Sequence, residues 1–179
     1  MDENPEKTAR MFFALWPGGR TRSALDQAAA RLHRHCGGKQ TKAETIHLTL
    51  VFIGEVPLSR IDSLLDAAEK VRAPEFSLKL TRLGWWRHNR IAWAMPESVP
   101  EGLAGLVGQL RAHLENAGCA YDAKPHVPHV TLLRKAHCSG ETFPPLAVEW
   151  QAREFVLVRS VLSAAGAAYE IAGRWELHR

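Results

Sequence analysis

The sequence predicts an α+β protein: two pseudo-symmetric lobes, each an antiparallel sheet covered by helices, with a central cleft. Three observations carry this. The order strand, proline, helix, strand occurs twice at nearly the same interval, from Pro17 to His47 and from Pro96 to His129. The last strand of each copy opens on one pattern, His47-Leu48-Thr49-Leu50 and His129-Val130-Thr131-Leu132. The chain has 179 residues, 46% of them hydrophobic, enough for one sizeable core, and no low-complexity linker separates independent domains. The expected organisation is a single two-lobed domain over residues 1–179.

The elements follow in order. Residues 10–16 (RMFFALW) form a short apolar strand ended by Pro17 and two glycines. Over residues 21–36, Leu25, Ala28, Ala29 and Leu32 recur at helical spacing, and Gly37-Gly38 ends the helix. A strand over 46–53 is expected to stop at Gly54. Residues 59–72 read as a helix, with Ile61, Leu64, Leu65 and Ala68 apolar and Ser59 as its N-cap. Alternation at Phe76, Leu78 and Leu80 gives a half-buried strand over 76–83. A hairpin loop over 85–89 leads into the strand at 90–95, which ends at Pro96. Leu103, Leu106, Val107, Leu110 and Leu114 stripe a helix over 103–117, capped by Gly118. A proline-rich loop reaches His129. Residues 139–145 are loop-like, and strands over 154–162 and 169–175 flank a turn at Gly166.

Composition narrows the class of function. The net charge of +4, with 23 Lys and Arg against 19 Asp and Glu, suits an anionic partner. No apolar run approaches the ~20 residues needed to span a bilayer, and the polar start does not resemble a secretory signal. Cys36, Cys119 and Cys138 are odd in number and form no C-x-x-C pair, so reduced structural thiols in a cytoplasmic protein are expected. No Walker-type loop, nucleotidyl-lysine motif or dinucleotide fingerprint is present, so no cofactor is expected.

The repeated pattern carries the chemistry. Residues two apart in a strand share a face. Each copy therefore aims an imidazole and a hydroxyl to one side and two aliphatic side chains to the core. The alternative is a strand histidine with satisfied hydrogen bonds beside a threonine chosen for β propensity; the pairing argues against it. His126 and His129 are spaced like metal ligands, but no cysteine or carboxylate cluster joins them, and no metal is expected.

These residues resemble a known family, the two-histidine phosphoesterases, and within it the RNA 2′,3′-cyclic phosphodiesterases, also called 2′-5′ RNA ligases. The resemblance covers nearly the whole chain: RMFFALWP, IHLTLVFIGEV, PHVTLLR with its proline before the histidine, and SVLSAAGAAYEIAGRWEL. One departure is that many relatives carry a further histidine where this chain has Val127; His126 lies one position earlier.

The resemblance implies hydrolysis of an RNA terminal 2′,3′-cyclic phosphate to a 2′-phosphate without metal, with reverse 2′-5′ joining of RNA ends as a secondary reaction. It assigns His47 as general acid and His129 as general base, although the internal symmetry leaves the swap open. The chemistry stands by itself. Histidine, with an ordinary pKa near 6.5, serves either proton transfer, and two of them flanking phosphorus suit in-line displacement. The Thr49 and Thr131 hydroxyls can donate to the non-bridging oxygens. By resemblance Arg134 binds the phosphate, yet strict alternation from His129 puts it on the far face unless a bulge re-aims it. Phe12 and Phe13 alternate, so one lines the cleft as a candidate to stack a base and the other faces the core. Trp85, Trp86 and Arg87 are read either as RNA contacts or as an ordinary half-buried hairpin. The expected partner is RNA with a 2′,3′-cyclic end, tRNA halves included, bound by a monomer away from any membrane. Two other readings stay open: a phosphoesterase of small cyclic nucleotides or 2′-5′ oligonucleotides, and a non-catalytic RNA-binding module.

Overall fold

A computed structural model describes residues 6–179. Along the chain lie β1 (Thr8–Leu15), α1 (Gly19–Cys36), β2 (Lys39–Gln40), β3 (Leu48–Pro57) and α2 (Ile61–Glu69). They are followed by β4 (Phe76–Trp86), β5 (Ile91–Pro96), α3 (Glu101–Asn116), β6 (Val130–Arg134), β7 (Val148–Ala152), β8 (Glu154–Ser163) and β9 (Gly166–Glu176). The α+β class and the antiparallel pairing are as the sequence predicts.

The strands form one curled sheet in the order β7-β4-β5-β6-β3-β1-β8-β9, with β2 pairing the far end of β6. The order reads as two matching quartets back to back. Outward from the middle, β3, β1, β8 and β9 correspond to β6, β5, β4 and β7. The quartets are joined by a single residue pair, Leu48 opposite Val130. These are the second residues of the two repeated patterns, so the junction falls on the motifs themselves.

The helices cross over. Helix α1 follows β1 in sequence but packs against β6 and β7 of the other quartet, and α3, which follows β5, reaches back to β3. The apolar stripe of α1 explains its side of this exchange. Leu25, Ala28, Ala29 and Leu32 are all fully buried, and each leucine so placed contributes about 1.5–3 kcal/mol. The stripe of α3 is buried in the same way, from Leu103 to Leu114. Each half of the sheet therefore depends on a helix supplied by the other half of the sequence.

Several boundaries differ from the sequence reading. Ser59 does not cap α2, which begins at Ile61 after a 3-10 turn; its hydroxyl donates to Glu6 instead. Gly54 does not end β3. The strand passes through it by a bulge, with Met11 opposite Gly54 and Phe12 opposite Phe52. Strand β2, at 2 residues, is too short to show a period in the sequence, whereas the 5 residues of β7 alternate strictly (VEWQA) yet fall outside the expected elements. The cysteines depart from expectation as well: Cys36 and Cys138 form a disulfide, and Cys119 is free and buried. The end of α1 lies against the segment after β6, where the His137 N–H donates to the Cys36 carbonyl at 2.9 Å. The pair removes reduced thiols as an argument for a cytoplasmic location. No helix of the described residues is long and apolar enough to cross a membrane.

Candidate active site

Each motif histidine sits one residue before its strand, on the lip where the quartets meet. Extending the register from the Leu48–Val130 pair sets His47 opposite Thr131 and Thr49 opposite His129. Leu48, Leu50, Val130 and Leu132 are buried on the core side, and the two histidines and two threonines are half-buried on the other. The motifs are thus arranged as a crossed pair about one point, each imidazole beside the hydroxyl of the other half.

Both rings are oriented alike by the backbone just before them. His47 Nδ1 bonds the Thr45 carbonyl at 2.7 Å, and His129 Nδ1 bonds the Val127 carbonyl at 2.9 Å. A carbonyl only accepts, so Nδ1 carries the hydrogen in both, and Nε2 is left for chemistry. Val127 contributes through its backbone carbonyl. His126 is also engaged, with Nε2 2.9 Å from the Thr49 carbonyl. It braces β3 from the neighbouring segment.

Burial is the main cause of the electrostatics. His47 is pushed down to about 4, chiefly by desolvation, against which its bond to Thr45 works; the charges of Arg134 and His129 lower it further. His129 is also lowered, first by desolvation and then by Arg134, with its bond to Val127 opposing. Arg134 therefore acts on both imidazoles. The bulge that the sequence reading required is present. Trp93 lies opposite Thr131 and Ala92 opposite Leu133, leaving Leu132 as the extra residue in β6. Leu132 and Leu133 are consecutive and both fully buried. The next side chain, Arg134, turns back to the face of Thr131 and lines a cavity of about 200 Å³ together with His47 and Thr131.

Aromatic rings that the sequence reading missed or underweighted frame the histidines. Trp16 stacks on His47 at 5.2 Å and 4°, and Tyr169 meets it edge-on at 5.5 Å. Phe12 lies 5.0 Å from the same imidazole and is only 5% exposed. Phe13 is fully buried against Phe155 and Trp175, so it belongs to the core and cannot meet a base. Trp16 was legible as the next residue but one on the Phe12–Ala14 face of β1; Tyr169 comes from β9, which no local signal joins to His47. On the other side Trp86 sets its edge 4.7 Å from His129, with Trp93 behind it at 5.7 Å. Trp93 fits there because Gly84, its cross-strand neighbour, has no side chain; a Cβ would come 2.2 Å from the indole. Trp85 and Arg87 pack on one another and Trp85 on His137, away from the histidine pair.

Among the described residues, no three His, Cys, Asp or Glu side chains converge as a metal-ligand set. What the site offers is two imidazoles with free Nε2 atoms, two hydroxyls and a guanidinium. That inventory can bind an anion and exchange protons with it.

Known proteins resemble the chain over nearly its whole length. The family model described as LigT like Phosphoesterase matches the chain twice in succession, over residues 16–93 and 94–169, one match for each half of the repeat. The chain is 32% identical over 170 residues to the RNA 2′,3′-cyclic phosphodiesterase of Escherichia coli strain K12, covering 94% of this chain and 96% of that one. It is 29% identical to the Thermus thermophilus protein of the same name, over 94% and 90% of the two chains. The crystal structure of E. coli LigT complexed with 3′-AMP superposes with a TM-score of 0.85 at 31% identity, over 97% of this chain and all of that one. The chain belongs to the LigT-like phosphoesterase family.

Proposed function

We propose that this protein hydrolyses the 2′,3′-cyclic phosphate at an RNA end to a 2′-phosphate and a free 3′-hydroxyl. The observation that supports this most is the crossed arrangement of two His-x-Thr patterns about Leu48 and Val130, in a chain whose relatives carry the name RNA 2′,3′-cyclic phosphodiesterase.

The reaction needs only side chains. The cyclic phosphate settles between the two Nε2 atoms, with the Thr49 and Thr131 hydroxyls and the Arg134 guanidinium on its non-bridging oxygens. His129 takes a proton from water as the water oxygen attacks phosphorus. The bond from phosphorus to the 3′ oxygen breaks, and His47 delivers its proton to that oxygen. Desolvation holds the pKa of His47 at about 4, and the ring acquires this proton as the anion enters, because a negative charge in a desolvated pocket favours the imidazolium. Substrate binding then takes up a proton. The same groups act in the same roles when a 5′-hydroxyl of RNA replaces water: His129 takes the hydroxyl's proton, the bond from phosphorus to the 3′ oxygen breaks, His47 protonates that oxygen, and a 2′-5′ bond forms. Both half-sites come from one chain, so a monomer suffices, and RNA ends of the kind left on tRNA halves fit the chemistry.

Product analysis of an oligonucleotide with a 2′,3′-cyclic end tests the reading. The expected product carries a 2′-phosphate and no 3′-phosphate, and forms in the presence of chelator. A 3′-phosphate product, or no turnover, overturns it. Adding an RNA with a 5′-hydroxyl to the same assay reports the 2′-5′ joining.

A further inference from the structure

We propose that Lys39, Thr41 and Lys42 form a second phosphate subsite beside the two-histidine centre, which takes the phosphodiester on the 5′ side of the terminal nucleotide. The inference rests on the phosphodiesterase reading above and narrows its substrate from any cyclic phosphate to the end of an oligonucleotide.

The argument begins with the backbone. Strand β2 is zipped to the end of β6, with Lys39 opposite Arg134 and Gln40 opposite Leu133. The Thr41 N–H then donates to the Leu132 carbonyl at 2.9 Å. Beyond Thr41 the chain lifts off β6 through a 3-10 turn, Ala43–Thr45, and rejoins it at Leu48. The cavity occupies this gap, with His47 and Thr131 at one end and β2 at the other. Its position is fixed from behind. Gly38, at φ +81°, lets β2 approach so closely that a Cβ there would stand 2.6 Å from the Arg134 carbonyl, and the Cys36–Cys138 disulfide ties the residues just before and after this pairing.

The charge on this frame lacks an internal explanation. Directly opposed residues of an antiparallel pair project to the same face, and like charges there repel. Lys39 and Arg134 are such a pair, and Lys42 follows three residues on. All three line the cavity, whose lining holds no carboxylate. None of the three takes part in the ion pairs among the described residues. Thr41 adds an independent sign. Thr41 lines the same cavity, and its hydroxyl is buried with no hydrogen-bond partner. A buried hydroxyl without a partner calls for one, and an anion oxygen satisfies it beside the two lysines. Arg134 belongs to the scissile phosphate, so the cations left over on β2 and the following turn imply a second anion one step along the strand. In RNA that anion is the next phosphodiester.

The test compares three substrates with the full chain: adenosine 2′,3′-cyclic phosphate, a diadenosine ending in the same group, and that dinucleotide with a neutral methylphosphonate linkage. For the dinucleotide, the double substitution Lys39→Gln and Lys42→Gln is expected to lower kcat/KM on the order of tenfold, mainly through KM. The neutral linkage should do the same to the wild type, and the two changes together should add little. The mononucleotide should change less than twofold. The logarithmic salt slope for the dinucleotide should fall by about 0.7 per lost contact, as for single strands. Equal losses on mononucleotide and dinucleotide, or a methylphosphonate substrate as good as the native one, overturn the subsite. A wild-type chain that opens none of the three substrates overturns the phosphodiesterase reading instead. The lysines are exposed, so the fold stays intact, as circular dichroism verifies.

Discussion

His47 is boxed by Trp16, Phe12 and Tyr169, whereas His129 meets one ring, the edge of Trp86. The backbone treats the two identically, with the same bond from Nδ1 to the carbonyl two residues earlier. What differs is the material packed around them, and it comes from unequal places: β1 and the C-terminal hairpin on one side, the β4–β5 hairpin on the other. The result is unequal electrostatics. His47 falls to about 4 and His129 is lowered less far. A duplicated motif has kept its hydrogen-bond geometry while its two copies acquired different desolvation. Before substrate binds, that order leaves His129 the more basic of the two, so His47 serves as the acid only with the proton it gains as the anion enters.

The largest effect that could break this comparison is on turnover. His47→Ala and His129→Ala should each reduce kcat on a cyclic-phosphate RNA on the order of 10²–10⁴-fold. The double variant should lose far less than the product, because the residues act as a unit. If either single variant keeps near wild-type rate while folded, the halves are not partners in one reaction.

The sequence shows the two histidines, the two threonines and the repeat because each is local: a pattern of period two beside a helix of period 3.6. Arg134 was legible only conditionally. Its side of the sheet depends on the extra residue at Leu132, and a bulge leaves no mark in an alternation as short as Val-Thr-Leu-Leu-Arg. Tyr169 was not legible at all, since it reaches His47 from 122 positions away through the curl of the sheet. The crossing of α1 and α3 is likewise invisible. Their apolar stripes say that each packs on a sheet, not on which half. Lys39 and Lys42 were not legible, because a two-residue strand has no period to read.

A subtler measurement sharpens the comparison. If the rings desolvate His47, then Trp16→Leu should raise its pKa from about 4 toward 6.5 and leave that of His129 unmoved. Trp86→Leu should act on His129 alone, and by less, because one edge contact excludes less water than a stacked face. Imidazole resonances followed by NMR from about pH 3 to about pH 8 read both. A common shift of the two histidines in either variant would mean that their mutual charge, not their separate boxes, sets the difference.

The smallest effect is on stability, and its sign follows from the same asymmetry. An unfolded chain protonates His47 near pH 6.5, but the folded chain resists until about 4. Above pH 6.5 neither form carries the proton and the box costs nothing. As pH falls from 6.5 toward 4 the unfolded state gains protons that the folded state refuses, so stability declines. The decline amounts to about 3 kcal/mol once pH passes the folded value. His126 and His129 are lowered too and push in the same direction. Denaturant unfolding at pH 7 and pH 4.5 isolates the His47 share, because carboxylates common to wild type and variant cancel. His47→Gln should lose about 2 kcal/mol less than wild type between the two pH values, and His129→Gln should show a smaller difference of the same sign. Equal slopes for all three proteins would mean that both imidazoles are protonated in the folded state at pH 4.5. The rings around His47 would then be packing without electrostatic consequence, and the two half-sites would be equivalent after all.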